Sequence, residues 1–132
     1  MNLTDEERDI LVNLETEKAR KLMKEAEEIS ALKLWDATAN RLYYAAFHIV
    51  SALLIKNKHA VGTHRGTVMT FGNHFVKTDL VSKDDGRLYS QLQSLRESGD
   101  YNCFIETSEE DILPMLSRTK NFIDNIEALI NK

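Results

Sequence analysis

Apolar residues recur along this chain at three- and four-residue intervals, and no stretch alternates with the period of two that marks a half-buried strand. The first helical stretch carries Leu11, Leu14, Leu22, Ala26 and Ile29 inward. Ahead of it, Thr4 and Glu7 form a capping-box pair, and Asp5, Glu6 and Glu7 suit the positive end of a helix dipole, so helix 1 is predicted to begin at Thr4. The Lys- and Glu-rich run from Glu15 to Glu28 reads as its solvated face, with pairs such as Glu17 and Lys21 one turn apart. A break is predicted near Ser30 to Lys33, followed by helix 2 from about Leu34 to Lys56, whose apolar face holds Trp35, Ala39, Leu42, Ala46, Val50 and Leu53.

His59 to Arg65, with Gly62, reads as a connection. Helix 3 then carries Val68, Phe71 and Phe75 inward, although Gly66 and Gly72 weaken its helical propensity. Lys77 to Asp85 is a second connection. Helix 4 carries Leu88, Leu92 and Leu95 and is predicted to stop near Gly99. Helix 5 takes Ser108 as its N-cap with Glu109, Glu110 and Asp111 in the first turn. Its inward set is Ile112, Leu116, Phe122 or Ile123, Ile126 and Ile130, and Pro114 predicts a kink or a later start. The pattern as a whole predicts an all-α fold, a five-helix antiparallel up-and-down bundle formed by residues 1–132 as one domain.

Composition adds exclusions. With 42% hydrophobic and 29% charged residues, the 132-residue chain has the balance of a globular protein that buries a core. No apolar run approaches a membrane span, and the acidic start Asp5-Glu6-Glu7 is unlike a signal peptide, so a cytoplasmic protein with no membrane partner is expected. The lone Cys103 makes no intrachain disulfide, which fits a reducing compartment. A net charge of −4 argues against a surface dominated by phosphate binding but leaves room for a local basic patch.

Three segments carry candidate chemistry. On helix 2, Arg41, Tyr44 and His48 fall at i, i+3 and i+7 and share one face. They are either polar groups that pin the bundle, the commoner case, or an Arg for phosphate beside a His for proton transfer. At the end of helix 4, Arg96-Glu97-Ser98-Gly99-Asp100-Tyr101 is either a helix stop or places Arg96 and Tyr101 on a cleft. At the start of helix 3, Gly62-Thr63-His64-Arg65-Gly66 is either a turn and cap or an anion cradle that uses His64. It lacks P-loop spacing. The four His and Cys103 have no paired-ligand spacing, so neither metal nor cofactor is expected, and Phe71 and Phe75 read as core.

In this order, Asn40-Arg41-Leu42-Tyr43-Tyr44-Ala45-Ala46-Phe47-His48, then Gly62 to Gly66, then Arg96 to Tyr101, the chain resembles the small stand-alone HEPN proteins of bacteria and archaea. The resemblance implies a five-helix bundle that often forms a homodimer, and a toxin–antitoxin pairing with a minimal nucleotidyltransferase. Active members of the family are metal-independent ribonucleases that use an Arg followed within a few residues by a His in the later helix. Arg96 matches that Arg, and Asp100 and Tyr101 match the Asp-Tyr variant of the small branch. No His follows Arg96 before Cys103, which counts against ribonuclease activity, because neither Asp nor Tyr titrates near neutrality unperturbed. Arg41 and His48 stand at a comparable interval, but on helix 2. If helices 2 and 4 pack face to face, His48 replaces the missing base, which makes Arg96 and His48 the catalytic candidates.

The leading expectation is a HEPN-like protein that binds RNA or a nucleotide through Arg41, Tyr44, His48, His64, Arg96, Asp100 and Tyr101. The alternatives are a non-catalytic dimeric protein-interaction module and, third, a metal-independent ribonuclease toxin.

Overall fold

The computed structural model describes residues 2–101 and 107–132, with the side chains of Asp100 and Tyr101 outside the description. Its described residues form an all-α bundle of α1 (Asp5–Ala31), α2 (Trp35–Lys56), α3 (His64–Phe71), α4 (Lys83–Tyr101) and α5 (Glu109–Ile130). A π-helical turn, Gly72–Val76, continues α3, closed by the Lys77 N–H donating to the Gly72 carbonyl at 2.9 Å. Among the described residues no helix is long and apolar enough to cross a membrane.

The start of α1 is the capping box that its sequence predicts. The Glu7 N–H donates to the Thr4 hydroxyl at 3.1 Å, and the Thr4 N–H donates to Glu7 Oε1 at 2.9 Å. The bond from the Thr4 backbone, more than anything else, holds the Glu7 carboxyl below its ordinary 4.5. The inward seam of α1 differs from the one expected. Val12, Ala19 and Ala26, spaced by sevens, are buried with Leu22 and Met23, while Leu14 is 55% exposed. The two alanines keep the α1 side of the seam slim, Ala45 and Ala52 share the face of α2 from which Arg41 and His48 reach α1, and Leu14 is turned away from that seam.

The two helices run antiparallel. Arg8 donates to the Ile55 carbonyl at 2.8 Å, Glu15 meets His48, and Glu25 meets Arg41, so rising numbers on α1 face falling numbers on α2. On α1, Arg20 reaches Asp124 at 2.7 Å and Glu127 at 3.0 Å on α5.

Helix α2 is the axis of the bundle and touches α1, α3, α4 and α5. It buries the expected Ala39, Leu42, Ala46, Val50 and Leu53, but also Tyr43, Ala45, Ile49, Ala52 and Leu54, so it is packed on nearly every side. Phe71, Leu88, Leu92, Phe122 and Ile126 close the core from the other helices.

Helix α4 runs past Gly99 to Tyr101. Gly99 serves there as a point of close approach, since a Cβ on it would lie 3.2 Å from Asp36 Oδ1 and 3.5 Å from Thr107 Oγ1. Helix α5 begins at Glu109 behind the predicted cap, where the Ser108 hydroxyl accepts from the Asp111 N–H at 3.2 Å. Pro114 therefore does not delay its start. It sits near the N-terminal end of the helix, where both Pro114 and Glu110, the residue one turn back whose carbonyl it cannot bond, are exposed.

Candidate functional site

Three helices meet at Tyr43. The residue is fully buried on α2, flanked by the half-buried Tyr44 and Phe47. His64, the first residue of α3, is fixed by the cap that precedes it, where the Thr63 hydroxyl accepts from the Gly66 N–H at 2.9 Å. Arg96 comes from the last turns of α4 and is only 9% exposed.

The Tyr43 hydroxyl and His64 Nδ1 lie 2.8 Å apart. With the imidazole neutral, the hydroxyl donates to Nδ1, and the ring proton is then on Nε2. The imidazole packs 4.7 Å from the Phe47 ring and 5.7 Å from the Tyr44 ring, centroid to centroid. The Arg96 guanidinium carbon stands 4.8 Å from the Tyr43 ring centre and 5.8 Å from that of Tyr44, a pair of cation–π contacts in a largely desolvated setting. Behind Tyr43, the Tyr89 ring stacks at 6.1 Å, its hydroxyl buried without a hydrogen bond of ordinary geometry among the described residues.

The electrostatics follow from this packing. Burial pushes the Tyr43 phenol up to about 12, against the opposing pull of Arg96. Burial also raises the Tyr89 phenol, helped by Tyr43. His64 is held below its ordinary 6.5, first by burial and then by electrostatic interaction with Arg96 and His48. At neutral pH the cluster therefore presents a cation, a neutral imidazole and neutral phenols.

The residues singled out from sequence divide into groups. Tyr44, His64 and Arg96 come together around Tyr43. Arg41 points to α1, with Nε donating to Glu25 Oε1 at 3.1 Å and a terminal nitrogen donating to Asn40 Oδ1 at 3.0 Å. His48 is also tied to α1, its Nδ1 lying 2.6 Å from Glu15 Oε2, but its ring stays 5.3 Å from Phe47 at the edge of the cluster. The Asp100 and Tyr101 side chains, like Cys103, lie outside the described residues. Among the described residues no group of three His, Cys, Asp or Glu is placed to hold a metal ion.

Reading α2 as two-faced missed Tyr43, Phe47 and the Glu15 partner of His48. A signal was available. From Leu42 to Ile55 the chain has no Asp, Glu, Lys or Arg, which marks a helix buried all round, and on such a helix every polar side chain needs a partner.

A guanidinium and an imidazole that both pack on the Tyr43 and Tyr44 rings are groups of the kind that engage phosphate oxygens and pass protons. A family model described as "HEPN domain" matches residues 13–129. A UPF0332 protein of Thermotoga maritima is 32% identical over 94% of this chain and 94% of its own length. A UPF0332 protein of Archaeoglobus fulgidus is 29% identical over 92% of this chain and 96% of its own length. A Methanocaldococcus jannaschii protein named "Putative toxin MJ0142" is 26% identical over 88% of this chain and 80% of its own length.

Proposed function

This chain belongs to the HEPN domain family, and we propose that it is the helical, toxin-like member of a two-protein system, binding RNA or a nucleotide at the Tyr43 cluster. The observation that carries this reading is the convergence of Arg96, His64 and Tyr44 on Tyr43 from three different helices. Arg96 supplies the charge for a phosphate, Tyr44 a ring edge and hydroxyl, and His64 the exchangeable proton. His48, whose ring packs on Phe47, and Arg41, three residues before Tyr44 on α2, are included in the proposed site as flanking groups. Asp100 and Tyr101 follow Arg96 on α4 and belong to the same proposed surface. A homodimer and a minimal nucleotidyltransferase partner complete the proposal. The toxin name of the Methanocaldococcus relative supports its two-protein form.

The second reading is a non-catalytic dimeric interaction module, and the near-complete burial of Arg96 favours it, because a guanidinium packed against two tyrosine rings also serves to lock α2 to α4.

The deciding experiment measures binding and cleavage of a mixed labelled RNA pool, and binding of labelled nucleotides, by the purified protein at low and moderate salt. Arg96→Ala, His48→Ala and His64→Ala are run alongside, each checked for fold by circular dichroism. Binding lost with Arg96→Ala in a folded protein supports the nucleic-acid reading. Cleavage lost with a His variant extends it to a ribonuclease. Intact binding in every variant, or no binding at either salt, sinks it in favour of the interaction module.

A further inference from the structure

On the side of the molecule bounded by α3, its π-helical turn and α4, the surface opens into a groove of about 660 Å3. Its lining presents Val68, Met69 and Val76, with Met69 57% exposed, beside the exposed polar side chains of Asn73, Ser90 and Gln91. Gly72 and Gly86 shape it. A Cβ on Gly86 would press to 3.0 Å from Val76, so α4 and the π-helical turn touch there, whereas a Cβ on Gly72 would meet nothing within 4 Å, so the groove is open at that point.

The charged residues of the lining are Lys77, Lys83 and Arg87, and among the described residues no carboxylate lines it. Arg87 is paired with Asp84, while Lys77 and Lys83 make no salt bridge among the described residues. On a chain of net charge −4, this is a locally basic, apolar trough.

We infer that the groove docks an amphipathic helical segment of a partner protein, with aliphatic side chains seated between α3 and α4 and acidic side chains over Lys77, Lys83 and Arg87. Charge complementarity selects the acidic flank. The aliphatic, methionine-bearing lining selects apolar anchors, since Met adapts to side chains of varied shape, and an amphipathic helix laid in a groove presents such anchors in one row. The lining also argues against nucleobases. Its aromatic members, Phe71 and Tyr89, are 2% and 1% exposed and offer no open face for stacking. Docking here also reaches the candidate site. Tyr89 lines the groove and stacks behind Tyr43 at 6.1 Å, so an occupant bears on the residue that backs the Tyr43–His64 pair. The inference goes beyond the nucleic-acid reading and stands whether or not the Tyr43 cluster binds RNA.

The test uses the full chain and two fluorescein-labelled synthetic helical peptides with the same leucine spacing, one flanked by Glu and the other by Lys, with a labelled oligouridine as a third probe. The Glu-flanked peptide is expected to bind at least about tenfold more tightly than its Lys-flanked twin. In the Lys77→Glu/Lys83→Glu protein the preference reverses, an outcome that unfolding does not mimic. Gly72→Leu, which adds bulk where the groove is open, weakens the Glu-flanked peptide while the thermal melt stays cooperative. Equal binding of the twins, no binding of either, or an unchanged preference after charge reversal overturns the inference. So does oligouridine binding that these same substitutions abolish, which assigns the groove to RNA. Self-association that Met69→Glu abolishes in sedimentation assigns it to a second copy and overturns the inference as well. Loss of RNA binding in Arg96→Ala leaves the peptide result untouched, which keeps the two readings separable.

Discussion

The Tyr43–His64–Arg96 cluster couples a charge to a titrating ring, and that coupling is measurable at single residues. Burial is the larger reason that His64 stays below 6.5, and Arg96 is the second. Arg96→Gln removes the nearby charge and leaves most of the burial in place. The His64 ring, followed by its proton resonances through a pH titration, is therefore expected to titrate at a higher pH in the variant, yet still below 6.5. An unchanged or lower titration would show that the guanidinium does not act on the imidazole. The hydroxyl of Tyr43 has a separate role. Tyr43→Phe keeps the ring against Arg96, Phe47 and Tyr89 but takes the 2.8 Å partner from His64 Nδ1. The expected loss is about 1 kcal/mol, read as a fall in Tm of roughly 3–5 °C. A Tm equal to or above that of the parent would mean that the bond adds nothing to stability.

At the scale of helices, what was legible in the sequence was what local chemistry decides. Both side-chain caps at the ends of the bundle, Thr4 before α1 and Ser108 before α5, formed as their residues predict, because a cap needs only neighbours within one turn. Ser108→Ala therefore is expected to cost about 1 kcal/mol, seen as a lower midpoint of urea unfolding at an unchanged slope. A midpoint equal to the parent's would show that the cap is replaced by water. The helical stretch through Phe75 was legible, but its π-type hydrogen bonding and the passage of α4 through Gly99 were not. Gly99 reads as a stop in isolation, and only the nearness of Asp36 and Thr107 shows that a small residue is used there for close approach within a continuing helix. Leu14 was misplaced for a similar cause. Its spacing fits a helix, but the partner of α1 is the alanine-rich face of α2, and the small residues Ala19 and Ala26 define the seam more than the larger Leu14 does.

For the whole molecule, hydrophobic period and sparse breakers were enough for an all-α bundle, and the ordered segments on three helices were enough for the family. The site was half legible. His64 and Arg96 were named from motif positions far apart in the chain, but their meeting point, Tyr43, depends on how α2, α3 and α4 pack, which no local spacing encodes. That packing leaves a signature in the stability of the folded chain. His64 and His59 are both held below 6.5, His64 by burial and then Arg96 and His48, His59 by burial and then His74, whose ring lies 4.4 Å away. In the unfolded chain each titrates near its ordinary value. As pH falls through that value the unfolded chain takes up protons that the folded chain still refuses, so the two rings together lower stability in acid and cost nothing above neutrality. Between about pH 7.5 and about pH 5.5, above the range where ordinary carboxylates protonate, the Tm is expected to fall more in the parent than in a His59→Gln/His64→Gln variant. The difference between the two curves reports these rings together with their coupling to Arg96, His48 and His74. If the curves run parallel across that window, neither imidazole is buried neutral, and the protonation state assigned to the Tyr43 cluster is wrong.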